Sequence, residues 1–123
     1  MLIRDFLNLL LDDTLEDVRL RYRKPSEGMA FQGAERALEE CRAAMQMEDM
    51  ADSLRALVAE ARRHSALAAG HPDEWFWMTR DMYVEWVARV VSVVLVSHRC
   101  TAILPPSRAA AMEAARLLEM KVA

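Results

Sequence analysis

From Trp75 to Val96 the chain is apolar except at Thr79, Arg80, Asp81, Glu85, Arg89 and Ser92. Wrapped on a helix, these apolar side chains sweep a continuous arc of about 220°, whereas a helix on the outside of a bundle needs little more than 100°. Only Thr79 and Arg80 interrupt that arc. The element predicted over 73–102 is therefore central, with neighbours on two sides.

Elsewhere the apolar stripes are narrower. Ile3, Phe6, Leu7, Leu10, Thr14 and Val18 recur at helical spacing, with Asp5, Asp12, Glu16 and Arg19 opposite, so residues 2–23 read as helix. Asp13 to Glu16 has the pattern of a capping box, which predicts two short helices meeting at Asp12–Asp13. Pro25-Ser-Glu-Gly28 is a stop and turn. Phe31, Ala34, Leu38, Cys41 and Met45 form the next stripe; it lapses at Glu48 and Asp52 and resumes with Leu54, Leu57, Val58, Ala61 and Ala68. This lapse predicts two helices within 30–69, with a turn or kink between Met47 and Asp52.

The best punctuated junction follows. Gly70 suits a helix C-terminus, Pro72 the first turn of the next helix, and Asp73 and Glu74 its positive end. Pro105-Pro106 ends the central helix, and Ser107 is placed to cap a last one over 108–121. The β-branched run Val90–Val96 has strand character, but no second strand is available to satisfy its backbone. The expectation is an all-α, antiparallel bundle of about five helices around the central apolar helix at 73–102, in a single helical domain over 1–123.

Composition supports few, long elements: 3 Gly and 4 Pro leave little turn punctuation, and 54% hydrophobic content excludes a mainly disordered chain. The formal charge is -3, and no segment is basic enough for a broad phosphate-binding face. Cys41 and Cys100 make neither a disulfide framework nor a metal motif, which points to free thiols in the cytosol. The first eleven residues lack a signal-peptide pattern, because Asp5 and Asn8 interrupt them. The charges inside 75–96 argue against a membrane span.

Candidate chemistry is thin. Asp81, Glu85 and Arg89 stack at i, i+4 and i+8, a pattern usual for a solvated ion-pair strip; Arg80 or a residue from another helix could neutralise Asp81. Asp13/Glu16 and Asp49/Asp52 each place two carboxylates on one helix face, read here as helix capping. His64, near a helix end, complements the helix dipole, and Cys41 belongs to the core. Arg19-Leu-Arg-Tyr-Arg-Lys24 is the one basic run, without a phosphate loop beside it. No catalytic residue, metal ligand or cofactor is assigned.

The aromatic cluster remains. Trp75, Phe76, Trp77, Tyr83 and Trp86 point in several directions near the start of the central helix, more than one core would enclose at a helix end. Aromatic residues of this kind anchor interfaces. The expected function is that of a small cytosolic interaction or assembly protein, self-associating or binding a protein partner through these five residues. Two alternatives differ in class. One is a metal-dependent all-α hydrolase drawing on Asp13, Glu16, Asp49, Asp52, Asp81 and Glu85, which requires several of these to converge. The other is a nucleic-acid-binding accessory protein, which requires Arg19, Arg21, Arg23, Lys24, Arg62 and Arg63 to share one surface.

Overall fold

The computed structural model describes residues 3–122. Five helices follow one another: α1 (Ile3–Arg21), α2 (Gly28–Met45), α3 (Met50–Ala68), α4 (Glu74–Ser97) and α5 (Arg108–Val122), with a single 3-10 turn at Pro25–Glu27 before α2. No strand is present among the described residues, and the apolar run at 90–96 is helical. The lapse in the stripe after Met45 is a true break: α2 and α3 are separate helices joined by a short turn.

The direction of each helix can be read from its polar contacts. Arg4 donates to the Met47 carbonyl and Arg42 to Asn8 and Asp12, so α1 and α2 are antiparallel. Ser65 meets Asp81 and Arg62 meets Glu85, so α3 and α4 are antiparallel too. Two reversals set α2 and α4 side by side in the same direction. Their contact is the most extensive in the fold, and α4 also packs on α3 and α5. The central position predicted for the apolar helix is what the structure shows.

Close approach of α2 and α4 follows from small side chains. Gly33, Ala34, Ala37 and Cys41 are all buried on α2, facing a helix whose buried face is Val84, Val87, Ala88, Val91 and Val94. Each valine removed from water in this way contributes about 1.5–3 kcal/mol before chain entropy is counted. Leu7, Leu10, Leu11 and Val18 of α1, Leu54, Val58 and Ala61 of α3, and Ala110, Ala114 and Leu117 of α5 complete one core.

Two sequence expectations need correction. The first helix is not divided at Asp12–Asp13; it runs unbroken from Ile3, and Leu2, where the reading began, lies outside the described residues. Asp13, the would-be cap, lies mid-helix beside Arg116, and Thr14, buried next to it, donates its hydroxyl to the Leu10 carbonyl at 2.8 Å. The central helix also stops at Ser97, five residues before the expected 102. There the Cys100 amide donates to the Leu95 carbonyl at 2.8 Å and the Arg99 amide to Val96 at 2.9 Å, while Arg99 takes a positive φ of 61°. This is a Schellman closure with arginine in the position glycine usually holds.

Beyond that closure the chain folds back along α4. Ser92, fully buried, accepts the amides of Ile103 and Leu104 at 3.0 and 2.9 Å while donating to the Ala88 carbonyl. Arg89 donates to the Pro105 carbonyl. Ser107 then accepts the Ala110 amide at 3.1 Å, capping α5 as its place in the sequence predicts. Gly70 takes φ 83° just past α3, again as expected for a C-terminal cap. No helix among the described residues is long and apolar enough to cross a membrane.

Candidate functional site

The two polar residues inside the apolar arc of α4 are buried, and one of them organises a buried ionic cluster. Arg80 is 2% exposed. It donates from Nε and Nη2 to Glu40 of α2 at 3.0 and 2.8 Å, from Nη2 to Glu60 of α3 at 2.6 Å, and from Nη1 to its neighbour Asp81 at 2.7 Å. Its guanidinium carbon also lies 5.8 Å from the centre of the Trp77 ring. A single cation from α4 thereby ties α2 to α3. Burial opposes the charge on Arg80, but the bonds to Glu40, Asp81 and Glu60 outweigh it and raise its pKa. Burial likewise opposes ionisation of Glu40; the bonds and charge of Arg80 win, and its carboxyl is held below the ordinary value.

Asp81 is equally committed. One carboxylate oxygen accepts Arg80 and the other accepts the Ser65 hydroxyl at 2.8 Å. The strip Asp81–Glu85–Arg89 is therefore not uniformly solvated: Asp81 is buried, and Arg80 neutralises it, while Glu85 pairs with Arg62 at 2.9 Å and lies 3.8 Å from Arg89. His64 does not simply serve a helix end. Its ring lies against Trp77, tilted by 44° with centroids 4.2 Å apart, and its Nδ1 lies 3.7 Å from Asp81.

The carboxylates of the hydrolase alternative are held apart. Asp13 lies beside Arg116, Glu16 pairs with Arg19, Asp52 with Arg55, Asp81 with Arg80 and Glu85 with Arg62. Asp49 sits at the start of α3 without a side-chain capping bond, which corrects the capping role given to it. Among the described residues no group of three or more His, Cys, Asp or Glu side chains is placed to hold a metal ion. The cations of the nucleic-acid alternative are divided as well. Arg21 reaches α4 at the Tyr83 hydroxyl and Arg62 reaches it at Glu85, positions about 160° apart around the helix.

The five aromatic residues are dispersed rather than presented together. Phe76 is partly buried, edge-on to Trp77 at 4.7 Å. Trp77 is held between His64 and Asp73, to which its indole N–H donates at 2.8 Å. Tyr83 is buried, edge-on to both Tyr22 and Trp86, and burial pushes its hydroxyl up to about 12. Trp86 is partly buried. Only Trp75 stands free, 66% exposed.

Trp75 is nevertheless not isolated. Met78 and Met82, one and two turns further along the same side of α4, are 44% and 52% exposed. Together the three make an apolar ridge at i, i+3 and i+7, a spacing visible in the sequence but overshadowed by the aromatics. Two grooves meet the ridge at Met82. The larger, about 720 Å³, lies between α1, α4 and α5 and is lined by Leu20, Arg21, Met82, Tyr83 and Trp86 among others. The smaller, about 390 Å³, lies between α3 and α4 and shows Ala61, Ser65 and Ala69 opposite Met78 and Met82. Leu20 is 59% exposed, so the apolar surface continues across the first groove.

In comparisons with protein-family models, with curated proteins and with solved structures, nothing matched this chain.

Proposed function

We propose that this chain is a small cytosolic interaction or assembly protein that works without chemistry of its own, by burying the ridge Trp75–Met78–Met82 of α4 and the grooves that meet it at Met82 against another polypeptide. The observation that carries the reading is the side of α4 left open. A helix that packs on three others, and whose apolar arc exceeds what one core requires, keeps an indole and two thioethers in water. Continuous apolar surface bordered by grooves is the usual mark of a protein-binding face. Methionine suits such a face because its flexible, polarisable side chain adapts to a partner. Of the five aromatic residues expected to form the surface, Trp75 and Trp86 remain in the proposal, joined by Met78, Met82 and Leu20; Phe76, Trp77 and Tyr83 are partly or fully buried.

The test is a photo-cross-linking amino acid at position 75 in the full chain, activated in cells of the native host. Joining to a second polypeptide, lost when Met82→Asp is added while the helical circular dichroism is kept, supports the reading. Absence of any protein adduct, or adducts indifferent to Met82→Asp, overturns it.

A further inference from the structure

We propose that His64 is a proton-operated latch between α3 and α4: when its ring takes up a proton, Nδ1 closes on the Asp81 carboxylate and fastens the two helices together. The inference is independent of the interface reading.

An orphaned atom gives the first argument. Among the described residues His64 Nδ1 is one of two buried side-chain atoms without a hydrogen-bond partner, the other being Asp13 Oδ2. Buried polar atoms are rarely left so, because each forfeits its bonds to water. Asp81 Oδ2 lies 3.7 Å from this nitrogen, too far for a hydrogen bond. An imidazolium donates from both nitrogens, and a charge-assisted bond closes to about 2.7–2.9 Å. A shift of about 1 Å therefore completes the contact. Asp81 loses nothing by it: Oδ1 accepts Arg80 and Oδ2 accepts Ser65, and a carboxylate oxygen has a second lone pair to offer. The His64 side chain keeps 30% of its surface in water, so the proton is exchanged without unfolding.

The charges around the ring favour its cationic form. On α4 these are Asp81 and Arg80; on α3, Glu60 lies one turn back, bound to Arg80. Arg80 also holds Glu40 of α2, to which Arg36 adds a second cation at 3.1 Å. Three carboxylates thus share two guanidinium groups, and a protonated His64 supplies the missing positive charge. Asp73 and His71, from the turn between the helices, line the same shallow hollow as His64. Arg62 and Arg63, next to it in sequence, are exposed, and Arg62 is engaged by Glu85. The face of Trp77, 4.2 Å from the ring and held by Asp73, attracts a cation as well. Arg80 opposes the new charge, but its own is already divided among three carboxylates.

The sign follows. A histidine that gains its partner on protonation contributes stability that is complete below its ordinary value of about 6.5 and is lost as pH rises. Glu40 acts in the opposite sense and further down, where its depressed carboxyl takes up a proton. The latch therefore shows between pH 7.5 and 5.5, a window in which the carboxylates stay ionised and the 3 histidines and the terminal amine change charge.

The experiment follows the full chain across that window by thermal melting and by tryptophan emission. Relative to His64→Gln, the wild type should gain a few degrees in melting temperature on going from pH 7.5 to 5.5. The emission of Trp77, taken as the difference between the wild type and Trp77→Phe, should fall, because an imidazolium in contact quenches an indole. His64→Gln should abolish both responses and His71→Gln should keep both. Imidazole nitrogen shifts of the wild type, followed by NMR, read the same event without any substitution: at low pH the Nδ1 hydrogen of His64 should show a bond to carboxylate. The same pH response in wild type and His64→Gln, or a protonated His64 whose Nδ1 hydrogen remains unbonded, would overturn the proposal.

Discussion

Gly33 lies against the backbone of Phe76 so closely that a Cβ on it would fall 2.1 Å from the Phe76 carbonyl oxygen and 3.1 Å from the Arg80 amide nitrogen. Both neighbours are main chain of a helix and cannot rotate aside. Gly33→Ala should therefore push α2 from α4 instead of stabilising the helix as alanine ordinarily does. We expect a loss of about 1–3 kcal/mol, the range for overpacking a filled core, measured by urea unfolding. Gly28 has open space around the same atom, so Gly28→Ala is the control and should cost little.

Arg80→Met keeps most of the stem volume and removes the charge. Asp81 loses an ion-pair partner in a buried setting, and α2 and α3 lose the group that joins them. Breaking one side of a buried pair costs about 3–5 kcal/mol, enough to consume much of the 5–15 kcal/mol that stabilises a typical domain. Chemical denaturation of the variant should show the change. Asp81→Asn should cost less, because the amide oxygen still accepts from Arg80 or Ser65. If Arg80→Met proved neutral, the cluster would be decorative.

Acid should loosen the same cluster. The Glu40 carboxyl is held below its ordinary value of 4.5. A depressed carboxyl contributes stability that is complete above the unfolded value and is lost as pH falls through the folded one. Part of the stability present at pH 6 should therefore disappear below about pH 4.5 as Glu40 takes up a proton. Glu40→Gln removes that titration. It should melt at a lower temperature than the wild type at pH 6, yet lose less on going to pH 3.5. Equal losses in the two proteins would assign the acid sensitivity elsewhere.

Arg99 holds φ 61° at the end of α4, a conformation in which any side chain with a Cβ is crowded. Arg99→Gly should relieve this and raise stability by up to about 1 kcal/mol, less whatever chain entropy glycine adds to the unfolded state. A rise in melting temperature without change in helix content would show it.

Much of this fold is legible along the chain because helix patterns are local. The width of the apolar arc at 75–96 located the central helix, the lapse at Glu48 and Asp52 marked the α2–α3 turn, and Gly70 and Ser107 sit where their chemistry predicts, whereas Pro72 lies just before the N-cap Asp73 and not in the first turn of α4. The misreadings share a cause. Asp13 and Glu16 look like a helix start only until Arg116 and Arg19 are found beside them. Arg80 stood out as a polar residue in an apolar arc, but its partners Glu40 and Glu60 lie 40 and 20 residues away, and such pairings have no periodicity to betray them. The partial cover of the aromatic cluster was hidden for the reverse reason: His64 of α3 and Tyr22, just past the end of α1, pack against rings that look exposed on α4 alone.

The two cysteines fare very differently in this packing. Cys41 is fully enclosed between α2 and α4, and its burial pushes the thiol up to about 12, while Cys100 lies exposed past the end of α4. A thiol reagent will thus find one sulfur at once and the other only when the helices part. The chain carries a built-in clock: after Cys100 has reacted, the slow uptake of label at Cys41 counts how often the bundle opens, without any probe having been added to it.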